Sequence, residues 1–116
     1  MEQTEIYGFD MIQVKDISNI MKRKKAWLID LRGEEAYRNG HIRYAKNYPI
    51  EYIDEWRREI PEKAGLILYC EHGNQSLLAA RKLRGRKGKV YTVTGGYQAF
   101  LKEEGKDDMG TLWKKD

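Results

Sequence analysis

Three short apolar runs, each followed by a polar turn and a stretch with helical spacing, limit what this chain can become more than any other feature. The runs are Trp27–Leu31, Gly65–Tyr69 and Val90–Val93. They are too short for core helices and rich in residues that suit a pleated surface. Behind them come Gly33–Asn39, closed by Gly40 as helices often are, then Ser76–Arg84, then the Tyr97, Phe100, Leu101 pattern. Ile17, Ile20 and Met21 predict a further amphipathic helix over Asp16–Lys24. Tyr48–Ile50 reads as a short strand, held near an edge by Pro49. Ile53, Trp56 and Ile60 mark a helix ended by Pro61. Gly95-Gly96 reads as a turn. Strands alternating with helices build a parallel α/β sheet covered on both faces. Ligands in such folds bind beyond the carboxyl ends of the strands, where Cys70 lies.

The chain has 116 residues, enough for one domain (1–116) with a real core. A content of 41% hydrophobic and 34% charged residues excludes disordered and fibrous classes. No apolar run is long enough to span a bilayer. The acidic start Met1–Glu5 does not resemble a secretory signal, and a lone cysteine forms no internal disulfide. A cytoplasmic location is the expectation. The net charge is +4, and two basic clusters stand out, Lys22–Lys25 and Arg81–Lys89. Neither carries interleaved aromatics, so the charge pattern points to a solvated face rather than to nucleic acid. Arg81–Lys89 could also guide an acidic partner. No membrane partner is expected, and the oligomeric state is left open. The polar stretch 105–116 reads as a tail that hangs off the domain or docks back through Trp113.

Cys70 to Gln75 is polar, contains Gly73 and Asn74, and reads as a strand-to-helix loop. Backbone N–H groups of such a loop can turn inward as an anion cradle. The helix that follows adds its positive end, worth typically about 0.3–1 kcal/mol. Both favour the thiolate, the nucleophilic form of cysteine. The competing reading is an inert buried thiol.

Four segments carry a resemblance to one family. Leu28-Ile29-Asp30-Leu31-Arg32 is similar to a "hydrophobic, hydrophobic, Asp, x, Arg" strand end. Glu35 to Ile42 is similar to "E-x-Y-x-x-G-H-I", continued by Ala45 and Asn47. Tyr69-Cys70-Glu71-His72-Gly73-Asn74-Gln75-Ser76 is similar to "Y-C-x-x-G-x-R-S", and Gly95 to Phe100 to "G-G-x-x-x-W". In this order and over residues 12–102, the chain resembles a single-domain rhodanese. The resemblance implies a three-layer fold with a central, mainly parallel five-stranded sheet. It implies a sulfurtransferase activity; separately, two histidines and one cysteine at scattered spacings match no metal-ligand pattern, and no cofactor is expected. Cys70 would carry the transferred sulfur inside a loop of Glu71, His72, Gly73, Asn74, Gln75 and Ser76, whose amides surround the cysteine sulfur. The partners would be a small sulfane-sulfur donor and a thiol acceptor, or a protein persulfide.

Departures from the pattern matter. Gln75 stands where the family usually has Arg, Glu71 puts an acid beside the cysteine, Tyr44 replaces a small Gly, and Phe100 replaces Trp. A lost cation and a gained anion at the mouth, each worth about 1 kcal/mol, disfavour a dianion such as thiosulfate. His72 could compensate when protonated. Asp30 and Arg32 read as a structural ion pair, Arg32 with a lesser prospect of facing the site, and His41 as a structural histidine. A non-catalytic interaction or sulfur-carrier module is the main alternative. A cysteine-loop phosphatase or arsenate reductase is remote: Ser76 stands where such a loop needs its phosphate-gripping Arg, and no Arg occurs before Arg81.

Overall fold

In the computed structural model, which describes residues 8–103 and the backbone of 113–114, the central run becomes the middle of a sheet. Leu66–Tyr69 is buried at every position and lies between Trp27–Asp30 and Val90–Val93. A strand flanked on both sides and covered on both faces must be apolar throughout, which is why Leu66-Ile67-Leu68-Tyr69 shows no polar alternation. In chain order the elements are β1 (Asp10–Ile12), α1 (Ile17–Lys24), β2 (Trp27–Asp30), α2 (Glu34–Asn39), β3 (His41–Ile42), β4 (Lys46–Asn47), α3 (Ile53–Trp56), β5 (Leu66–Tyr69), α4 (Asn74–Leu83), β6 (Val90–Val93), α5 (Gly96–Glu103) and β7 (Trp113–Lys114). Five strands form one parallel sheet in the order β1-β6-β5-β2-β4. The α/β class and the parallel five-stranded sheet agree with the sequence reading.

The pleat divides the core into two layers. Leu28, Ile67, Tyr69 and Val93 face one side with Ile17 and Phe100, against α1 and α5. Ile29, Leu66, Leu68 and Cys70 face the other with Trp56, Ala79, Ala80 and Leu83, against α3 and α4. Each fully buried Leu or Ile contributes roughly 1.5–3 kcal/mol. No helix among the described residues is long and apolar enough to cross a membrane.

Several elements differ from the sequence reading. The edge strand lies at Lys46–Asn47 rather than Tyr48–Ile50. Asn47 Nδ2 donates to the carbonyls of Asp30 and Arg32, while Ile50–Tyr52 coils into a 3-10 turn after Pro49. The helix expected up to Pro61 is α-helical only over Ile53–Trp56 and continues as turns. The helix after the cysteine loop, α4, starts at Asn74, not Ser76, because Gly73 at φ +104° turns the chain early. Asn74, Gln75 and Ser76 are thus its first turn, not part of the loop. Asp10–Ile12 carries an acidic first residue and too few residues to show a period, and it is a strand because β6 pairs with it. The tail docks back in part: the Trp113–Lys114 backbone pairs antiparallel with β3. The rest of 104–116 and the Trp113 side chain lie outside the described residues.

Candidate active site

Cys70 follows directly on β5 and is 2% exposed. Its sulfur accepts the backbone N–H of Gly73 at 3.1 Å and that of Ser76 at 3.3 Å. Two amides aimed at one sulfur, the second from the first turn of the ten-residue α4, stabilise negative charge there. Of the amides from Glu71 to Ser76 expected around the sulfur, these two have the hydrogen-bonding geometry. Ser76 does not reach into solvent. It is fully buried, donates to the Gly73 carbonyl at 3.1 Å and accepts from Thr92 Oγ1 at 2.6 Å. Its hydroxyl ties the loop to β6.

The loop is also fixed from the other side, by the Gly95-Gly96 turn. Tyr97 N–H donates to the Cys70 carbonyl at 2.8 Å and Gln98 N–H to the Glu71 carbonyl at 3.1 Å. Gly96 has φ +61°, and a Cβ there would stand 2.4 Å from the Cys70 oxygen. Only glycine allows that approach.

Behind the cysteine lies a buried charged network. Asp30, fully buried, accepts from the Arg32 backbone N–H, from Arg32 Nε and Nη2, and from the Tyr69 hydroxyl at 2.6 Å. Arg32 Nη2 also donates to the Gly40 carbonyl at 2.6 Å, and its guanidinium lies 4.0 Å from the Tyr97 ring centre. Its Nη1 turns to the cysteine loop and meets Glu71 at 3.2 Å. Arg32 therefore serves both readings at once, as the partner of Asp30 and as a wall of the cysteine cleft. Burial works against its charge, but Asp30, Tyr69 and Glu71 outweigh that and raise its pKa above the ordinary value. Burial, with the charge and hydrogen bond of Asp30, pushes the Tyr69 hydroxyl well above its usual range.

Glu71 is not a free anion. One carboxylate oxygen accepts from Arg32 and the other from Gln98 Nε2. Burial pushes its carboxyl up, but the hydrogen bonds of Gln98 and Arg32 and the charges of Arg32 and His72 prevail and hold it below the usual range. Gln98 was not singled out from sequence. It lies 27 residues from Glu71, and no local pattern announces such a partner.

A cleft of about 340 Å³ opens above the sulfur, lined by Arg32, Gly33, Ala36, Cys70, the loop residues Glu71 and His72, and Asn74 and Gln75 of the first turn of α4. A second cleft of about 270 Å³ lies across the loop, sharing His72, Gly73 and Asn74 but walled by Met11, Leu77 and Val93. The exposed Gln75 sits at the rim. His41 is elsewhere: its Nδ1 pairs with the Tyr37 carbonyl at 2.7 Å and its ring stacks on Tyr37 at 3.7 Å. Among the described residues no three His, Cys, Asp or Glu side chains gather as a metal site would require.

Comparison with known proteins gives one answer. The rhodanese-like domain family matches residues 13–103. The thiosulfate sulfurtransferase GlpE of Pseudomonas putida is 30% identical over 93 residues, 79% of this chain and 84% of that protein. The uncharacterized protein YqhL of Bacillus subtilis is 34% identical over 79 residues, 66% of this chain, and the match spans 62% of its length. Among solved structures, a rhodanese-related protein from Thermoplasma volcanium superposes with a TM-score of 0.74 at 24% identity, covering 82% of this chain and 93% of that one.

Proposed function

This chain belongs to the rhodanese-like domain family, and from that premise we propose that it is a sulfurtransferase carrying sulfane sulfur as a persulfide on Cys70. The observation that carries the reading is the pair of backbone amides, from Gly73 and Ser76, directed at the cysteine sulfur. The thiolate attacks the outer sulfur of a sulfane donor. The S–S bond of the donor breaks, and the bonding pair leaves with the remainder, sulfite in the case of thiosulfate. The Cys70 persulfide is an anion, so the same amide cradle and helix end that favour the thiolate also favour the product. An external thiolate or cyanide then attacks the terminal sulfur and releases Cys70 as thiolate. The two amides directed at the sulfur stabilise it as an anion in both attack and release, and the leaving groups are stable anions, so no side-chain general base enters the steps. The chain holds a single cysteine, so the acceptor must come from outside.

Glu71, paired with Arg32, leaves little positive charge in the cleft, and Gln75 supplies none. Donors of low charge, or a protein persulfide, suit it better than thiosulfate. The test is intact mass after incubation with thiosulfate, with a low-charge polysulfane and with a protein persulfide. Wild type should gain one sulfur atom, which cyanide removes, and Cys70→Ser should gain none. If wild type gains no sulfur from any donor, the domain is an interaction module instead.

A further inference from the structure

Residues 42–45 form a tight turn in which Ala45 N–H donates to the Ile42 carbonyl at 3.0 Å. Its third residue, Tyr44, has φ +74°. That position of a turn favours glycine, and a bulky residue there is strained. Tyr44 is 69% exposed, so burial offsets little of this strain. A backbone outlier held at a surface aromatic points to use of that ring.

The surroundings indicate what would use it. Tyr44 borders a cleft of about 410 Å³ whose wall includes Tyr37, His41, Arg43 and Lys46 and no acidic residue among those described. Arg43 and Lys46 are exposed. Tyr37 is also a wall of a second cleft, about 450 Å³, bordered by Arg38, by Tyr52, itself 53% exposed, and by one acid, Glu34. Arg38 is held there by Glu34 at 2.8 Å. Tyr37 is a rigid partition: its hydroxyl donates to the Ala45 carbonyl at 2.6 Å and its ring stacks on His41. The run from Tyr37 to Tyr52 thus supplies the interleaving of aromatics and cations that the denser basic clusters lack.

We propose that these two clefts form a groove for single-stranded nucleic acid, with Tyr44 and Tyr52 stacking successive bases and Arg38, Arg43 and Lys46 meeting the phosphates. Exposed rings beside cations are what a sequence-tolerant single-strand site needs. Each cleft is within the size range of small-ligand sites. An acidic peptide would use the cations but has no need of two exposed rings beside them. The groove is independent of the chemistry at Cys70.

The test is anisotropy of a fluorescein-labelled oligouridylate of about twelve nucleotides. With three phosphate contacts the single-strand salt slope is about −2, so binding should weaken about twentyfold between about 50 and 200 mM salt. Tyr44→Gly should melt no lower than wild type yet bind about five- to hundredfold more weakly. Arg43→Gln/Lys46→Gln should flatten the salt slope to about −0.7. The proposal is overturned if the oligonucleotide does not bind or binds without salt dependence. It is also overturned if neither variant changes binding, or if uridine monophosphate or a glutamate-rich peptide of similar length binds as tightly.

Discussion

Replacing Glu71 by Gln should raise kcat/KM for thiosulfate about fivefold. The carboxylate lies between Arg32 Nη1 at 3.2 Å and Gln98 Nε2, on the wall of the cysteine cleft. Its side chain is 40% exposed, so water screens it and the surface range of about 0.2–1 kcal/mol per charge pair applies. Taking about 0.5 kcal/mol and doubling it for a dianion gives about 1 kcal/mol, which is about fivefold in rate. The change removes an anion and also uncovers an Arg32 N–H, while Arg32 stays fixed by Asp30 and Gly40. The glutamine amide can still accept from Gln98, so the loop should keep its shape. The assay is thiosulfate:cyanide sulfurtransferase kinetics at low and high salt, with sulfur loading from an uncharged polysulfane as control. The gain should shrink as salt rises toward about 1 M, where the screening length is about 3 Å. An unchanged or lowered rate for thiosulfate, with loading from the uncharged donor intact, would refute the electrostatic argument. A fivefold gain that is indifferent to salt would refute it too.

Gln75→Arg, which adds a cation at the rim of the same cleft, should lower KM for thiosulfate with little change in loading from an uncharged donor, in the same kinetic assay. Tyr69→Phe removes the hydrogen bond to the buried Asp30 and leaves the Ile42 N–H without its acceptor; it should cost about 2 kcal/mol and lower Tm by roughly 10 °C. The Glu71 carboxyl is held below its ordinary value of 4.5, so its contribution to stability is fully present above about that pH and is lost as pH falls through the lowered value. Melting from neutral to acidic pH should therefore show a larger drop for wild type than for Glu71→Gln. Gly96→Ala would press a Cβ against the Cys70 carbonyl, and Gly88→Ala would press one to within 1.9 Å of the Ala64 oxygen, away from the cleft. Both should lower Tm, but only Gly96→Ala should slow sulfur loading by the protein that remains folded.

The apolar run Leu66–Tyr69, the loop after it and the helical spacing beyond were enough to put Cys70 at the carboxyl edge of a parallel sheet. That much is local. A short, bounded run that is apolar at every position suits a strand covered on both faces, and a polar, glycine-bearing break after it reads as a turn. Boundaries were less legible. Asn74 and Gln75 look like loop residues by type, yet they are helical because Gly73 at φ +104° ends the loop early. Asp10–Ile12 has no period to read and becomes a strand only by pairing with β6. The electrostatics of the cleft belonged wholly to the tertiary structure. In the sequence Glu71 is an acid next to a cysteine. In the fold it is clamped by Arg32, 39 residues before it, and by Gln98, 27 residues after it. Such contacts depend on where β2 and α5 end in space, and the free energy of a charge depends on what lies within a few ångströms of it rather than on its neighbours in the chain. Residue types and spacing placed Cys70 on a strand-to-helix loop whose backbone amides can turn toward its sulfur. Packing alone decided which charges surround it.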